Sequence, residues 1–301
     1  MIGAPALSDD EREHWNTHGF LLLRNCLSDA EIETLTASMS DLATGLPSWS
    51  EEKKLAHTST AGNGKHIDII GLPFLTEAVH SLMDHPNVFG RILSLMGPFI
   101  YVPGMEYLER YSHGEQLLRM HTDGGGGLRS IFPSAESLVL QLKVQFFLTD
   151  LDEADSGNFL LVPGSHRKRF PVDSTVIDQA ARDAVPVLAK KGDVLIFPWS
   201  LWHGVAANRS TNTRKSIIAR YAQLWMRPVE YERASDAFCD GLAPRTRRLL
   251  ANLPECRSQN DYYRPNMDLQ VNTMFGEEWQ DHPELYLYNG MKKPIKELFD
   301  Q

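Results

Sequence analysis

KKGDVLIFPWSLWHG, residues 190–204, decides the fold. Lys-Lys-Gly-Asp is a turn signal, and VLIF after it is a short continuous apolar run of buried-strand length, closed by Pro198. Working outward, the same texture recurs on both sides: YVPGMEYLERY from Tyr101, SLVLQLKVQFFLTD at 137–150, NFLLVP at 158–163, VPVLA at 185–189 and KSIIARYAQLW at 215–225, separated by turn-rich DSGN, PGSH and KKGD. Successive strands with no regular helix between them predict an antiparallel sandwich or barrel and exclude a doubly wound parallel sheet.

The first hundred residues read differently. Ser8 with Glu11 and Ser28 with Glu31 fit the S-x-x-E capping box, so each starts a helix; FLLLRN at 20–25 between them is a buried strand, and Gly19 is placed to stop the first helix. Residues 44–72, rich in Ser, Gly, Lys and His, are expected to form a long loop, belonging to a lid or pocket wall. Helical patterning returns at 74–96. The tail beyond residue 226 mixes Pro, Arg and Tyr with one helical stretch around 244–252. The expectation is a mainly β protein with flanking helices (α+β), in one domain over 1–301: a helical N-terminal region over 1–98, a β core over 99–225 and a C-terminal extension over 226–301.

Composition excludes several functions. Of 301 residues, 42% are hydrophobic and 23% charged, the balance of a globular protein with a sizeable core. A net charge of -9 argues against nucleic acid or an anionic membrane as partner, and no apolar run approaches the length of a membrane span. Cys26, Cys239 and Cys256 are odd in number and widely spaced, so reduced thiols and a cytoplasmic location are expected, as a monomer or homodimer.

The chemistry gathers around RMHTDGGGG, residues 119–127. At a strand end residues i and i+2 project to the same side, so His121 and Asp123 present an imidazole nitrogen and a carboxylate oxygen together. A mononuclear non-haem Fe(II) site needs a third ligand on the same face. His203, after the strand DVLIFP, is the best donor. Eleven residues further on, Arg214 is placed to grip a cosubstrate carboxylate with two parallel hydrogen bonds. The glycine run lacks the GK[ST] ending and the strand-to-helix setting of a phosphate loop, which leaves a mobile lip beside the metal or a plain flexible loop.

Taken together, HTD at 121–123, FLTDLDEADSGNFLLVPGSHRK at 147–168, KKGDVLIFPWSLWHG and the trio Asn208, Ser210 and Arg214 resemble the phytanoyl-CoA dioxygenase family of Fe(II)- and 2-oxoglutarate-dependent oxygenases, over roughly residues 10–225. The resemblance implies a double-stranded β-helix, a jelly-roll barrel. It implies iron on His121, Asp123 and His203, and 2-oxoglutarate held at its distal carboxylate by Arg214. It further implies that O2 is consumed, with succinate and CO2 released, as an unactivated C–H bond of a small molecule is oxidised. Asp123 closes the halogenase route, for which related enzymes carry Gly or Ala at that position. Val205 departs from the family's hydroxyl residue two positions after the distal histidine, so Lys143 or Gln145 is a candidate for the remaining cosubstrate contacts. Trp199, Trp202 and Phe147 are candidates for a dry wall, and Arg220 and His66 for substrate contact; Arg220 either pairs with an internal carboxylate or meets an acidic substrate. PGSH at 163–166 reads as a structural corner with His166 not a ligand, and His57, His80, His85 and His113 as loop or surface residues. The alternative is a cupin-type barrel that binds a metal or sugar, or isomerises one, without oxygen chemistry.

Overall fold

A computed structural model of the chain describes residues 6–58, 66–114, 118–131, 139–228, most of 230–258, Asp261 and Met274. Helix α1 (Asp9–His18) starts at a complete capping box: Ser8 Oγ accepts from Glu11 N and the Glu11 carboxylate accepts from Ser8 N. It ends at Gly19, whose φ of 82° is a left-handed conformation that a side chain would strain. Strand β1 (Leu21–Leu23) follows, then α2 (Asp29–Gly45) with the second capping box at Ser28 and Glu31. Both helix starts and the stop at Gly19 are as the sequence predicts.

The long loop expected at 44–72 is a correction. It contains α3 (Glu51–His57) and β2 (His66–Ile70), while 59–65 lie outside the described residues. β2 escapes a hydrophobicity reading because its residues His66 and Asp68, on one face, are polar. The helical stretch at 74–96 is two 3-10 segments, Leu72–Phe74 and Glu77–Leu82, followed by α4 (Phe89–Met96). Pro73 and Pro86 each remove a backbone donor and disfavour helix in the preceding residue, which keeps the pieces short.

The β core follows in order: β3 (Ile100–Arg110), β4 (Leu118–His121), helical turn α5 (Gly125–Arg129), β5 (Gln141–Phe147), β6 (Phe159–Leu161), α6 (Ser174–Arg182), β7 (Val185–Pro186), β8 (Val194–Pro198), β9 (His203–Val205) and β10 (Arg214–Gln223). The short helices α7 (Asp236–Cys239) and α8 (Pro244–Leu249) lie in the C-terminal extension. The glycine run is therefore not a plain loop: Gly124, at φ 79°, caps α5, and a Cβ there would collide with Leu128.

The strands form two antiparallel sheets, a six-stranded one ordered β1-β8-β5-β10-β3-β2 and a four-stranded one ordered β4-β9-β6-β7. Alternation sorts the faces of the larger sheet. Leu142, Val144, Phe146, Val194, Ile196, Ile217, Ala219, Tyr221, Met105 and Tyr107 turn outward and pack with Ile32, Leu35 and Met39 of α2 and Phe89, Ile92 and Leu93 of α4 in the main core. The opposite face packs Phe147, Leu195 and Phe197 against Phe159 and Leu161 of the smaller sheet. The result is a jelly roll whose inner space lies between the sheets, and whose helices cover one outer face.

The PGSH corner is a 3-10 turn (Ser165–Arg167) entered through Gly164, but His166 is buried at 6% exposure and its ring rests on Gly19. Two further histidines are buried: His85, read as a loop or surface residue, bonds Glu31 at 3.0 Å, and His66, the candidate for substrate contact, lies beside Asp68, because each shields a polar contact that the sequence does not reveal. Cys26, Cys239 and Cys256 form no disulfide with one another, and no helix among the described residues is long and apolar enough to cross a membrane.

Candidate active site

His121 ends β4 and His203 begins β9, and the antiparallel register sets them directly opposite, with ring centroids 4.3 Å apart. Asp123 follows β4 by two residues and is anchored by its backbone N–H, which donates to Trp199 O at 3.0 Å. One ligand atom from each of the three lies within 4.8 Å of the others. The tautomers are fixed by the backbone: His121 Nδ1 faces Arg119 O and His203 Nδ1 faces Leu201 O, each at 2.8 Å. A carbonyl only accepts, so each Nδ1 carries the proton and each Nε2 lone pair is free. These nitrogens lie 4.0 Å (His121) and 3.6 Å (His203) from the Asp123 carboxylate.

The protonation states suit a metal. Burial pushes His203 down to about 4, against the pull of Asp123, so its imidazole is neutral near pH 7. Burial alone would raise Asp123, but Lys143, then His203, Arg220 and His121 overcome it and hold the carboxyl well below the usual range. Asp123 Oδ2 is buried with no hydrogen-bond partner. Two imidazoles presenting Nε2 and one carboxylate with an orphaned oxygen fit a divalent first-row cation.

The walls divide by chemistry. Phe159 stacks on the His203 ring at 5.0 Å and 16°, and Phe197 meets it edge-on at 5.2 Å. Phe147 belongs to the same apolar cluster and Trp199 is buried. Trp202 stands apart: it is half-buried, packs edge-on against Phe170 and donates Nε1–H to Lys168 O, since adjacent residues point to opposite sides. Sequence reasoning missed Phe159 and Phe197, although the alternation of NFLLVP and DVLIFP is the signal that points both inward.

At one end of the inner face Arg214 is 2% exposed and register-paired with Arg110. Its Nη1 donates to Gly157 O at 2.5 Å and its Nη2 reaches Ser216 Oγ at 3.4 Å, while Nε has no partner. Arg110 bonds Asp68 at 2.5 Å, with His66 3.7 Å beyond. No carboxylate of the described residues lies within ion-pair distance of Arg214; burial and the Arg110 charge, opposed by Asp68, push it down to about 9. A buried guanidinium so placed calls for an anion. Nearby, Gln145 donates to Ser216 Oγ at 3.1 Å and keeps an unpaired Oε1. Lys143 lies near the metal ligands, its Nζ 3.0 Å from Asp123 Oδ1 and 3.8 Å from Glu106, which is also 3.9 Å from Arg220. Thus Lys143, Gln145 and Arg220 all face inward. His66 sits at the Arg110 end. Arg110, Asp68 and Glu106 were not singled out from sequence.

The sequence profile of phytanoyl-CoA dioxygenase (PhyH) matches residues 15–216. The chain is 33% identical over 122 residues to the protein Rv1501 of Mycobacterium tuberculosis, a match covering 40% of this chain and 44% of that one, so the matched segment spans less than half of that relative's length. It is 28% identical over 249 residues to the ectoine dioxygenase of Bordetella parapertussis, covering 72% of this chain and 76% of that protein. HygX from Streptomyces hygroscopicus, solved with nickel and 2-oxoglutarate bound, superposes with a TM-score of 0.58 at 18% identity, covering 72% of this chain and 88% of HygX. The jelly-roll architecture expected from the sequence is thereby borne out.

Proposed function

The chain belongs to the phytanoyl-CoA dioxygenase family, and from that premise we propose that it is an Fe(II)- and 2-oxoglutarate-dependent dioxygenase that oxidises a C–H bond of a small organic molecule, with release of succinate and CO2. The observation that carries this reading is the convergence of His121, Asp123 and His203, with both imidazoles locked to offer Nε2. Fe(II) bound by the three would supply dioxygen activation.

The protein's own residues do the rest. Arg214, with Arg110 behind it, neutralises the distal carboxylate of 2-oxoglutarate in a site where water cannot screen it. Gln145, bonded to the same Ser216 hydroxyl as Arg214, is the candidate for the cosubstrate contact that Val205 leaves unfilled. Phe159, Phe197, Phe147 and Trp199 keep water from the metal face, which protects a reactive oxidant from quenching. A cupin-type role without oxygen chemistry gives no use to a buried guanidinium that lacks a counter-ion among the described residues.

The test is anaerobic titration of the purified protein with Fe(II) and then 2-oxoglutarate. Chelation of the cosubstrate is expected to give a weak visible charge-transfer band, and air is expected to yield succinate. A protein that takes up Fe(II) but shows neither refutes the proposal. Loss of Fe(II) uptake in His203→Ala, with the fold intact by circular dichroism, assigns the ligand set.

A further inference from the structure

Strand β10 carries two inward-pointing arginines, Arg214 at its start and Arg220 six residues later, on the same face by alternation. At roughly 3.3 Å per residue their backbones stand about 20 Å apart, too far for one small dicarboxylate bound at the metal to engage both. Arg214 has a role in the dioxygenase reading. Arg220 does not.

The carboxylates around Arg220 hold it only loosely. The register places Lys143 directly beside it on β5, two cations side by side on one face, an arrangement that is unfavourable by itself. Among the described residues Arg220 has one ion-pair partner, Glu106 at 3.9 Å, and makes no hydrogen bond; Glu106 is shared with Lys143 at 3.8 Å. The closer partner of Lys143 is Asp123, at 3.0 Å, a carboxylate whose charge goes to the metal when the metal is bound. Glu230 approaches from the C-terminal extension through the gap that Gly104 leaves on β3, but its Oε2 is taken up by the backbone N–H groups of Gly71 at 2.8 Å and Met105 at 3.1 Å. With the metal in place, the two cations keep only Glu106 within ion-pair distance, with Glu230 acting on Arg220 from farther off. Their side chains are 11% (Lys143) and 17% (Arg220) exposed, and those of Asp123 and Glu106 13% and 19%, so the group lines a space that solvent enters next to the metal ligands.

We propose that Arg220, with Lys143 beside it, is a second anion-binding position on the side of the metal centre away from Arg214, and that the substrate is a small organic acid whose carboxylate it holds. The inference rests on the dioxygenase reading above and deepens it by naming the substrate class. Arg220 is the specificity determinant: its planar fork takes a carboxylate through two parallel hydrogen bonds, which fixes the orientation of the carbon chain toward the metal as well as its charge.

The experiment uses the anaerobic Fe(II)·2-oxoglutarate complex of the full chain. Its visible band is followed while short straight-chain and aromatic monocarboxylates, and separately their methyl esters, are added; succinate release on admitting air is the second readout. The acids are expected to perturb the band and raise succinate at concentrations about tenfold lower than the esters, a difference of about 1.4 kcal/mol. In Arg220→Met that preference is expected to vanish, and in Arg220→Lys, which keeps the charge, to survive at a reduced ratio. Equal response to acids and esters, an acid preference that persists in Arg220→Met, or no response to any acid overturns the proposal. If Arg220→Met does not fold, the acid-to-ester comparison in the wild type and in Arg220→Lys decides. Absence of the band from the wild type before any acid is added refutes the dioxygenase reading instead.

Discussion

Arg214 condenses the electrostatic problem of this site into one side chain. Its guanidinium is buried against a carbonyl and a hydroxyl, with a second guanidinium across the strand and no carboxylate of the described residues within ion-pair distance. Replacing it with Gln removes a charge-assisted pair worth about 1.5–3 kcal/mol. The KM for 2-oxoglutarate is therefore expected to rise roughly 10- to 150-fold, with Fe(II) uptake unchanged; steady-state succinate assays and metal titration check the two halves. Glu230 gives a pH prediction. Burial, then the Glu106 charge, raise its carboxyl to about 7 against the pull of Arg220 and two backbone N–H groups. Between its ordinary value and 7 the folded chain holds a proton that the unfolded chain has released, so this group's contribution to stability falls as pH rises through that window. Thermal melts are expected to show Glu230→Gln gaining on the wild type from pH 5 to pH 8. These residues differ in legibility. His121, Asp123 and His203 are readable because a metal dictates residue type and strand spacing. Arg110, Asp68 and Glu106 are not, because a charge in a strand faces solvent by default, and only closure of the second sheet makes that face an interior.

At the scale of elements, local chemistry decided what could be read. The capping boxes and the apolar runs of β5, β8 and β10 are local patterns, and the structure follows them. β4 and β9 are too short to stand out, and β2 is interrupted by His66 and Asp68, whose side chains are spent on ion pairs. The glycine run misleads in the other direction: Gly124 turns the chain into α5 and makes room for Leu128. A non-local contact at the end of α1 is equally invisible in sequence. A Cβ on Gly19 would lie 2.3 Å from His166 Nδ1, at a φ that side chains avoid. Gly19→Ala is expected to cost about 2–4 kcal/mol, and Gly19→Ala/His166→Ala to recover the clash but not the backbone strain, leaving about 1 kcal/mol. Chemical denaturation of the two variants measures the difference.

For the whole molecule, the metal is expected to stabilise the fold by linkage. At a free concentration a hundred times its dissociation constant, a cation that binds only the folded state adds about 2.7 kcal/mol. For a chain of this size that is roughly 4 °C in melting temperature, reversible by EDTA, and Asp123→Asn is expected to lose most of the shift. The imidazoles come from the four-stranded sheet and the Asp123 carboxylate from the segment that follows β4, whereas Arg214, Lys143 and Arg220 come from the six-stranded one. On the proposed reading, a cation held by His121 and His203 would touch one leaf of the sandwich while the distal carboxylate of its cosubstrate is gripped by Arg214 from the other, so that bound 2-oxoglutarate would act as a rivet across the two sheets.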